Sequence, residues 1–198
     1  MVWTIPNILT VVRLVAAPLL PVLFVLLPRP VSDWTALILF VGASATDWFD
    51  GYLARKLNQT SKFGTMADPI ADKAMVLSAF LVLAGSSALS PWIIIPAGLI
   101  VFREVFVSGL REFLGETAGL LKVTSLAKWK TTVQMVAISL LLANLVLSYS
   151  VGARIFGMGN EMATAVIAGA EPDEVGLIWR FTADLWTWRL GVGLLWVA

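Results

Sequence analysis

Four aspartates within one short segment carry the clearest chemistry in this sequence of 198 residues. Asp47 and Asp50 are three residues apart, and Asp68 and Asp72 are four apart. Residues at these spacings share one face of an α-helix, so two facing helices would gather four carboxylates in a small volume. Close negative charges away from water require cations between them. Because hard oxygen ligands favour Mg²⁺, Mn²⁺ or Ca²⁺ over Zn²⁺, the segment predicts a divalent-metal site.

The composition places these acids in a chain built for lipid. Hydrophobic residues make up 59% of the sequence and charged residues only 14%, which is typical of a polytopic membrane protein. The chain has no cysteine and no histidine. Disulfides, thiolate metal sites and thiol nucleophiles are therefore excluded, and a general base must be a carboxylate, Lys, Tyr or a bound water.

Six apolar segments are each about long enough to cross a bilayer, which takes about 20 helical residues. They span residues 8–27, 34–57, 69–87, 91–113, 129–150 and 177–198. We therefore predict an all-α integral membrane protein with six transmembrane helices, forming a single membrane-embedded catalytic domain over residues 1–198. The last segment is still apolar at Ala198, so the sequence leaves open whether the natural chain continues.

Two segments between the predicted helices are expected to be loops, at residues 58–67 and 151–176. Asp68 followed by Pro69 predicts the start of the third helix, because proline is favoured at the first helical position. Gly64 is expected to permit the turn that brings this helix back toward the second one.

The distribution of basic residues predicts the orientation in the membrane. Lys and Arg are concentrated around the second and fourth connections, at Arg55, Lys56, Lys62, Lys73, Arg103, Arg111, Lys122, Lys128 and Lys130. The opposite side carries only Arg29, Arg154, Arg180 and Arg189. By the positive-inside rule both termini and the aspartate segment face the cytoplasm. The acids then lie just below the headgroups, where a lipid head meets a soluble reactant.

The residues between the acids favour a phosphate-bearing substrate. Gly51 and Ala54 leave room on the Asp50 face for a ligand to approach the backbone, and Arg55 can neutralise or orient a phosphate. Carboxylate-bound metal ions shared with a substrate are the usual way to handle a diphosphate.

The complete pattern resembles the signature of the CDP-alcohol phosphotransferase family. All eight signature positions match, as Asp47-x2-Asp50-Gly51-x2-Ala54-Arg55-x8-Gly64-x3-Asp68-x3-Asp72. The resemblance implies six transmembrane helices, a homodimer, and two Mg²⁺ or Mn²⁺ ions facing the cytoplasm. It also implies a reaction in which an alcohol attacks the lipid-linked phosphorus of a CDP-activated lipid and CMP leaves.

Residue roles follow from the same resemblance. Asp47, Asp50 and Asp68 hold metal, while Asp72 lies near metal and acts as the base. The residues that border the CDP moiety are Gly51, Ala54, Arg55 and Gly64.

Three further segments resemble one branch of this family, the enzymes that make phosphatidylglycerophosphate. They are IPNILTVVR, REVFVSGLREF and KWKTTVQM, beginning at Ile5, Arg103 and Lys128. In the first of them we expect Asn7, Thr10 and Arg13 to contact the CDP-lipid. The alternative for these three is a helix cap and an interfacial anchor.

The acceptor can be argued from charge. Arg103 and Arg111 are two helical turns apart, and Lys128 and Lys130 begin the fifth helix. Four cations suit an acceptor with its own phosphate, and glycerol 3-phosphate is the simplest. The same residues would also serve anionic lipid headgroups, and the two arginines have acidic neighbours with which they could form ion pairs.

The expected reaction transfers the phosphatidyl group from CDP-diacylglycerol to sn-glycerol 3-phosphate, giving phosphatidylglycerophosphate and CMP. We predict direct single displacement, because without His or Cys a covalent route would consume a metal-bound aspartate. The expected setting is a bacterial-type inner membrane, with membrane lipids but no nucleic acid as partners.

Three rival functions remain at this stage. A sister enzyme would use another acceptor, giving a cardiolipin, inositol-phosphate or serine transferase. A cation transporter also carries intramembrane carboxylates. An Asp-rich prenyltransferase would use Mg²⁺ and a diphosphate, but it does not account for the spacing of Gly51, Ala54 and Arg55.

Overall fold

A computed structural model describes residues 5–57, 62–115 and 125–198 of the chain. Within these ranges the side chains of residues 5, 6, 47–57, 62, 65 and 125–128 lie outside the description. The described regular structure is helical, which confirms the all-α prediction for this part of the chain. Its elements are α1 (Ile5–Leu26), α2 (Val31–Leu57), α3 (Lys62–Ser86), α4 (Pro91–Leu114), α5 (Ser125–Ile155), α6 (Asn160–Ile167) and α7 (Leu177–Val197).

Within the described residues, four helices are long and apolar enough to cross a membrane by length and composition, namely α1, α3, α4 and α5. In α2 the described apolar stretch is shorter, covering Val31–Thr46. The last helix, α7, carries three charged residues, Arg180, Asp184 and Arg189. The chain is therefore a helical membrane protein, and the count of six spans stays a prediction.

The helices form one bundle in which α1 lies against both α2 and α3. On the other side α5 runs along α7 and also contacts α2 and α3, while α4 bridges α3 and α7. Small side chains such as Ala17, Ala36, Ala79 and Ala137 are buried in the core and let the backbones approach closely. The larger residues that fill the remaining space include Leu20, Phe40, Leu83, Ile138, Leu141 and Leu142.

One end of the bundle is fastened by an arginine in the turn between α1 and α2. The Nε of Arg29 donates to Asp33 Oδ2 at 2.9 Å, and its Nη2 donates to the carbonyl oxygen of Leu145 on α5 at 3.4 Å. Asp33 is fully buried. Because a buried carboxylate is costly without a partner, this pair ties α2 to the turn before it.

Polar side chains also join α5 to α7 inside the apolar bundle. Asn144 Nδ2 donates to Asp184 Oδ1 at 2.7 Å, and Ser148 Oγ donates to the same oxygen at 2.5 Å. Charged residues in membrane helices face the bundle interior and find partners there. These contacts explain how α7 accommodates an aspartate near its middle.

The third helix begins at Lys62, so the predicted start at Pro69 and the predicted loop at residues 58–67 were wrong for the described part of that range. Pro69 lies inside α3, where it lacks the N–H that would bond to the carbonyl of residue 65. Close packing of α3 against α1 outweighs this local preference. Gly64, expected to permit a turn, lies within the helix and is buried.

Residues 151–176 are not a plain loop, which corrects the prediction. The fifth helix continues to Ile155, and the short helix α6 follows. Val151, Val166 and Leu177 form a second small apolar cluster, with Phe181 packed against it. This cluster places α6 beside the start of α7.

Three other predicted helix starts differ by three or four residues. The first, second and fifth helices begin earlier than expected, at Ile5, Val31 and Ser125. Such offsets are expected, since helix ends depend on capping contacts that hydropathy does not record.

An aspartate marks the start of α7. The carboxylate of Asp173 accepts hydrogen bonds from the backbone N–H groups of Leu177 at 2.6 Å and Ile178 at 2.9 Å. These bonds hold the pKa of Asp173 below its usual value. The stabilisation is therefore fully present above the ordinary carboxyl pKa and is lost as the pH falls through the lowered one.

A glycine pair on α7 tests the packing of α5 against α7. A Cβ on Gly191 would lie 2.8 Å from Leu141 Cγ, whereas one on Gly193 would meet nothing within 4 Å. Overpacking a core typically costs about 1–3 kcal/mol. Gly191→Val should therefore lower the thermal unfolding midpoint in detergent. Gly193→Val is the matched control and should leave the midpoint unchanged or raise it; equal midpoints for the two variants would contradict this packing.

Candidate active site

Two of the four signature acids are described with their side chains, and they share one face of α3. Asp68 and Asp72 lie one turn apart, with their side chains 46% and 38% exposed. Both carboxylates are accessible to a ligand while remaining attached to a rigid helix. Their spacing therefore produces the shared face that the sequence predicts.

The first helix supplies the groups that hold these acids. The Thr10 hydroxyl donates to Asp68 Oδ1 at 2.5 Å, and Arg13 Nη1 donates to Asp72 Oδ1 at 2.7 Å. Arg13 Nη2 lies 3.6 Å from Asp68 Oδ1, so one guanidinium pairs with both carboxylates. The acids are therefore oriented by α1 rather than by α3 alone.

Burial makes this contact consequential. Thr10 and Arg13 are only 1% and 2% exposed, and the neighbouring Asn7 is also buried. A guanidinium removed from water needs carboxylate partners to offset its lost hydration. Since the two acids are partly exposed, water screens part of the attraction, and the pairing fixes geometry more than it adds stability.

Sequence reasoning placed Asn7, Thr10 and Arg13 beside the CDP-lipid but did not foresee the bonds to Asp68 and Asp72. The available signal was their spacing of three residues, which puts a polar stripe along one face of an otherwise apolar helix. The role of the three residues toward a nucleotide stays a prediction.

The other half of the signature lies in the last part of α2. Asp47, Asp50, Gly51, Ala54 and Arg55 fall within this helix, but their side chains lie outside the described residues. The backbone of α2 contacts both α1 and α3. Among the described side chains there is accordingly no cluster of three acids, and the four-aspartate site stays a prediction.

The described acids fit a divalent cation by their chemistry. Asp68 and Asp72 offer hard carboxylate oxygens on one face, and Thr10 and Arg13 provide the outer hydrogen bonds that orient such ligands. Metal-ligating carboxylates are commonly held in this way by neighbouring donors.

Two of the four predicted acceptor-binding cations meet at one carboxylate on α4. Arg103 Nη2 donates to Glu104 Oε1 at 2.5 Å, and Lys130 Nζ on α5 lies 3.5 Å from the same oxygen. Arg103 Nη1 also donates to the carbonyl oxygen of Ala198 at 3.1 Å. The ion pair that the sequence left open as an alternative is therefore formed by Arg103 and Glu104.

The other two predicted cations are Arg111 and Lys128, and the contacts that the structure describes join neither of them to Glu104. Arg111 is exposed one turn before the end of α4, and the side chain of Lys128 lies outside the described residues. Binding of an acceptor phosphate by all four cations stays a prediction.

A cavity of about 530 Å³ opens beside Asp72, between α3, α4 and α5. Its walls are mainly apolar, and its polar lining includes Asp72, Lys73, Glu104, Ser108 and Thr131. The Lys73 ammonium donates to Ser108 Oγ, and that hydroxyl donates to the Glu104 backbone carbonyl at 2.5 Å. Largely apolar clefts with a few directed polar groups are typical of ligand sites.

Lys73 and Ser108 were not among the predicted site residues. The sequence signal for Lys73 was its position next to Asp72. Its charge had already been explained by the positive-inside rule, as one of the basic residues on the cytoplasmic side. Ser108 carries no signal of its own, since its role depends on how α4 packs against α3.

A family model agrees with the signature. The CDP-alcohol phosphatidyltransferase model matches residues 3–169, which covers the acids on α2 and α3 and the helices that hold them. The chain belongs to this family.

Curated relatives sharpen the comparison. A protein of Cereibacter sphaeroides named CDP-diacylglycerol–glycerol-3-phosphate 3-phosphatidyltransferase is 52% identical over 196 residues, covering 99% of this chain and 89% of that relative. Proteins with the same name from Wigglesworthia glossinidia brevipalpis and Escherichia coli K12 are 44% and 40% identical. They cover 70% and 72% of this chain, and 76% and 78% of their own lengths.

The hydroxyl of Thr10 provides a sharp test of the contact between α1 and α3. Thr10→Val keeps the shape of the side chain but removes the hydroxyl that donates to Asp68. Transferase activity should therefore fall by roughly tenfold, the lower end of the losses typical when a hydrogen bond to a metal-binding carboxylate is removed. Thr10→Ser keeps the donor and should retain most of the activity. Both variants are assayed at matched protein concentration after thermal unfolding confirms that they fold. Equal activities for the two would rule out a role for this hydrogen bond.

Proposed function

We propose that this chain transfers the phosphatidyl group of CDP-diacylglycerol to sn-glycerol 3-phosphate, forming phosphatidylglycerophosphate and CMP. The observation that carries the proposal is the 52% identity, over 99% of the chain, to a relative named for these substrates. The hydrogen bonds from buried Thr10 and Arg13 to Asp68 and Asp72 also support it, because they orient two carboxylates of the family signature.

Asp47, Asp50, Asp68 and Asp72 would together hold two Mg²⁺ or Mn²⁺ ions. The proposal is supported by their oxygen-only chemistry and by the packing of α2, which carries one half of the signature, against α1 and α3. Bound metal would neutralise the diphosphate charge and stabilise the departing CMP.

The chain's own residues would bind the substrates and move the proton. Asp72 takes the proton of the acceptor hydroxyl while that oxygen attacks the lipid-linked phosphorus. The bond from phosphorus to the CMP oxygen breaks, and CMP leaves with the bonding electron pair. Arg13 keeps the Asp72 carboxylate in one orientation throughout, so that the base is positioned before the acceptor arrives.

The residues that border the CDP moiety would be Gly51, Ala54, Arg55 and Gly64, with Asn7, Thr10 and Arg13 on the α1 side. Thr10 and Arg13 donate hydrogen bonds to Asp68 and Asp72. Their effect on the nucleotide would therefore be partly indirect, because they orient the carboxylates that hold the metal ions bound by the diphosphate.

The acceptor phosphate would be bound by Arg103, Arg111, Lys128 and Lys130. Glu104 holds Arg103 and Lys130 near one another, so an entering phosphate would compete with this carboxylate. The cavity beside Asp72 offers an acceptor space next to the base, and Glu104, the partner of Arg103 and Lys130, lies in its wall.

In the membrane, we propose six spans in a single catalytic domain, assembled as a homodimer in a bacterial inner membrane with the site on the cytoplasmic side. The asymmetric distribution of Lys and Arg along the sequence supports this orientation, and the bacterial origin of the relatives supports the inner membrane.

An acceptor panel tests the proposed reaction. Purified chain in detergent micelles should release CMP from CDP-diacylglycerol when glycerol 3-phosphate and Mg²⁺ are present. Release should be close to background with inositol phosphate, serine or phosphatidylglycerol as acceptor, and also after addition of EDTA. Faster CMP release with another acceptor would assign the chain to a sister enzyme.

Two variants serve as internal controls in that assay. Asp50→Asn should lower CMP release by about 100-fold or more, since a lost metal ligand removes several kcal/mol of charge stabilisation. Lys62→Ala, on the neighbouring helix, should have little effect. Near-normal turnover by Asp50→Asn would overturn the site assignment.

Direct displacement is tested without an acceptor. Labelled CMP should not exchange into CDP-diacylglycerol when glycerol 3-phosphate is omitted, because no covalent enzyme intermediate forms. Rapid exchange under these conditions would demonstrate the covalent route instead.

A further inference from the structure

A second groove lies on the outside of the bundle, at the end of α2 that is remote from the signature acids. It has a volume of about 560 Å³ and lies between the start of α2, the end of α5 and the start of α7. Trp34 in its lining and Asp50 in the signature are 16 residues apart on α2, or about 24 Å at 1.5 Å per residue. The groove is therefore separate from the active site.

The walls of this groove are almost entirely apolar. Leu37, Ala143, Val146 and Leu147 contribute aliphatic surface from α2 and α5. Aromatic side chains accompany them, from Trp34, Tyr149 and Trp179. Trp and Tyr are enriched where a membrane protein meets the headgroup layer, so this end of the bundle has the composition of an interface.

Two arginines in the lining, Arg154 and Arg180, lack a counter-charge among the residues that the structure describes. Neither guanidinium forms an ion pair with a carboxylate of the described residues, whereas Arg13, Arg29 and Arg103 each do. The Nε of Arg180 is buried and has no hydrogen-bond partner. Its guanidinium lies over the Trp179 ring at 4.5 Å. Arg180 Nε is the buried donor of this kind that belongs to the groove lining, and a phosphate bound there would supply its acceptor.

We propose that this groove binds one acidic phospholipid. Its phosphate would accept hydrogen bonds from Arg154 and Arg180, since guanidinium groups pair strongly with phosphate oxygens. An acyl chain would lie along the aliphatic wall formed by α2 and α5. The proposal does not depend on the function assigned to the active site.

Charge distinguishes this occupant from the alternatives. A second copy of the chain docked on the same face by two-fold symmetry would bring four uncompensated arginines together. A zwitterionic lipid would add its own cation beside the two arginines. Free phosphate would satisfy the arginines but leave the apolar wall uncovered. An acidic phospholipid satisfies both features of the groove.

Native mass spectrometry of the full chain tests the site. The protein is released from micelles containing phosphatidylglycerol or phosphatidylcholine with identical acyl chains. Wild-type chain should retain phosphatidylglycerol in preference to phosphatidylcholine. Arg180→Gln should weaken this retention about tenfold, and the Arg154→Gln/Arg180→Gln double variant should weaken it further.

Arg189→Gln is the matched control, because it removes one exposed positive charge from the same helix outside the groove. Its lipid retention should equal that of wild type, and all variants should share the wild-type unfolding midpoint in phosphatidylcholine micelles. Equal retention of both lipids by wild type, or undiminished phosphatidylglycerol retention by the double variant, would overturn the proposal. A third result would also overturn it: if wild-type chain forms a dimer without bound lipid and only the double variant loses that dimer, the groove binds a second copy of the chain.

Discussion

The ion pairs of the buried Arg13 guanidinium with Asp68 and Asp72 are the interaction on which the described half of the active site depends. Arg13 lies on an apolar helix, is almost fully excluded from solvent, and pairs with Asp72 at 2.7 Å and Asp68 at 3.6 Å. A charge in this position is tolerable only with carboxylates beside it, so α1 and α3 are obliged to pack in one register. That register also lets Thr10 reach Asp68. The acids thereby acquire fixed orientations before any ligand binds.

Polar contacts of the same kind occur at the other end of the bundle. Arg29 pairs with the buried Asp33, and Asn144 and Ser148 hold Asp184. Between the two ends the helices meet through small apolar residues and aliphatic side chains. Hydrocarbon does not drive membrane helices together as water does, so close packing and buried hydrogen bonds must specify the arrangement. The bundle is consequently held by polar contacts at both of its ends, of which one carries the family signature.

The sequence predicted the features that depend on local periodicity. Six of the seven helices in the described part of the chain were expected, and the spacing of Asp68 and Asp72 correctly placed them on one helical face. Hydropathy and i, i+4 spacing are properties of neighbouring residues, so they can be derived without knowing the fold. The family could also be assigned, because the signature is long and combines acids, glycines and an arginine.

Features that depend on packing between helices could not be derived in this way. Pro69 appeared to begin a helix because proline favours that position, but tertiary contact with α1 extends α3 to Lys62. The short helix α6 is stabilised by an apolar cluster whose members come from three elements. The partner of Arg103 is its own neighbour Glu104, and residue spacing alone does not distinguish this ion pair from a role in phosphate binding. Likewise, the sequence shows Thr10 and Arg13 on one polar face of α1. Their partners, Asp68 and Asp72, lie nearly 60 residues further along the chain and could not be derived from that pattern.

The central claim is that acids from α2 and α3 form one metal site held by α1. Mn²⁺ binding to the purified chain, followed by electron paramagnetic resonance, tests it most directly when one acid is removed from each helix in turn. If the acids share a site, Asp47→Asn and Asp68→Asn should each weaken Mn²⁺ binding by about tenfold or more, since every ligand contributes to the same ions. Wild-type Mn²⁺ affinity in either variant would show that the two helices do not share a site and would contradict the account.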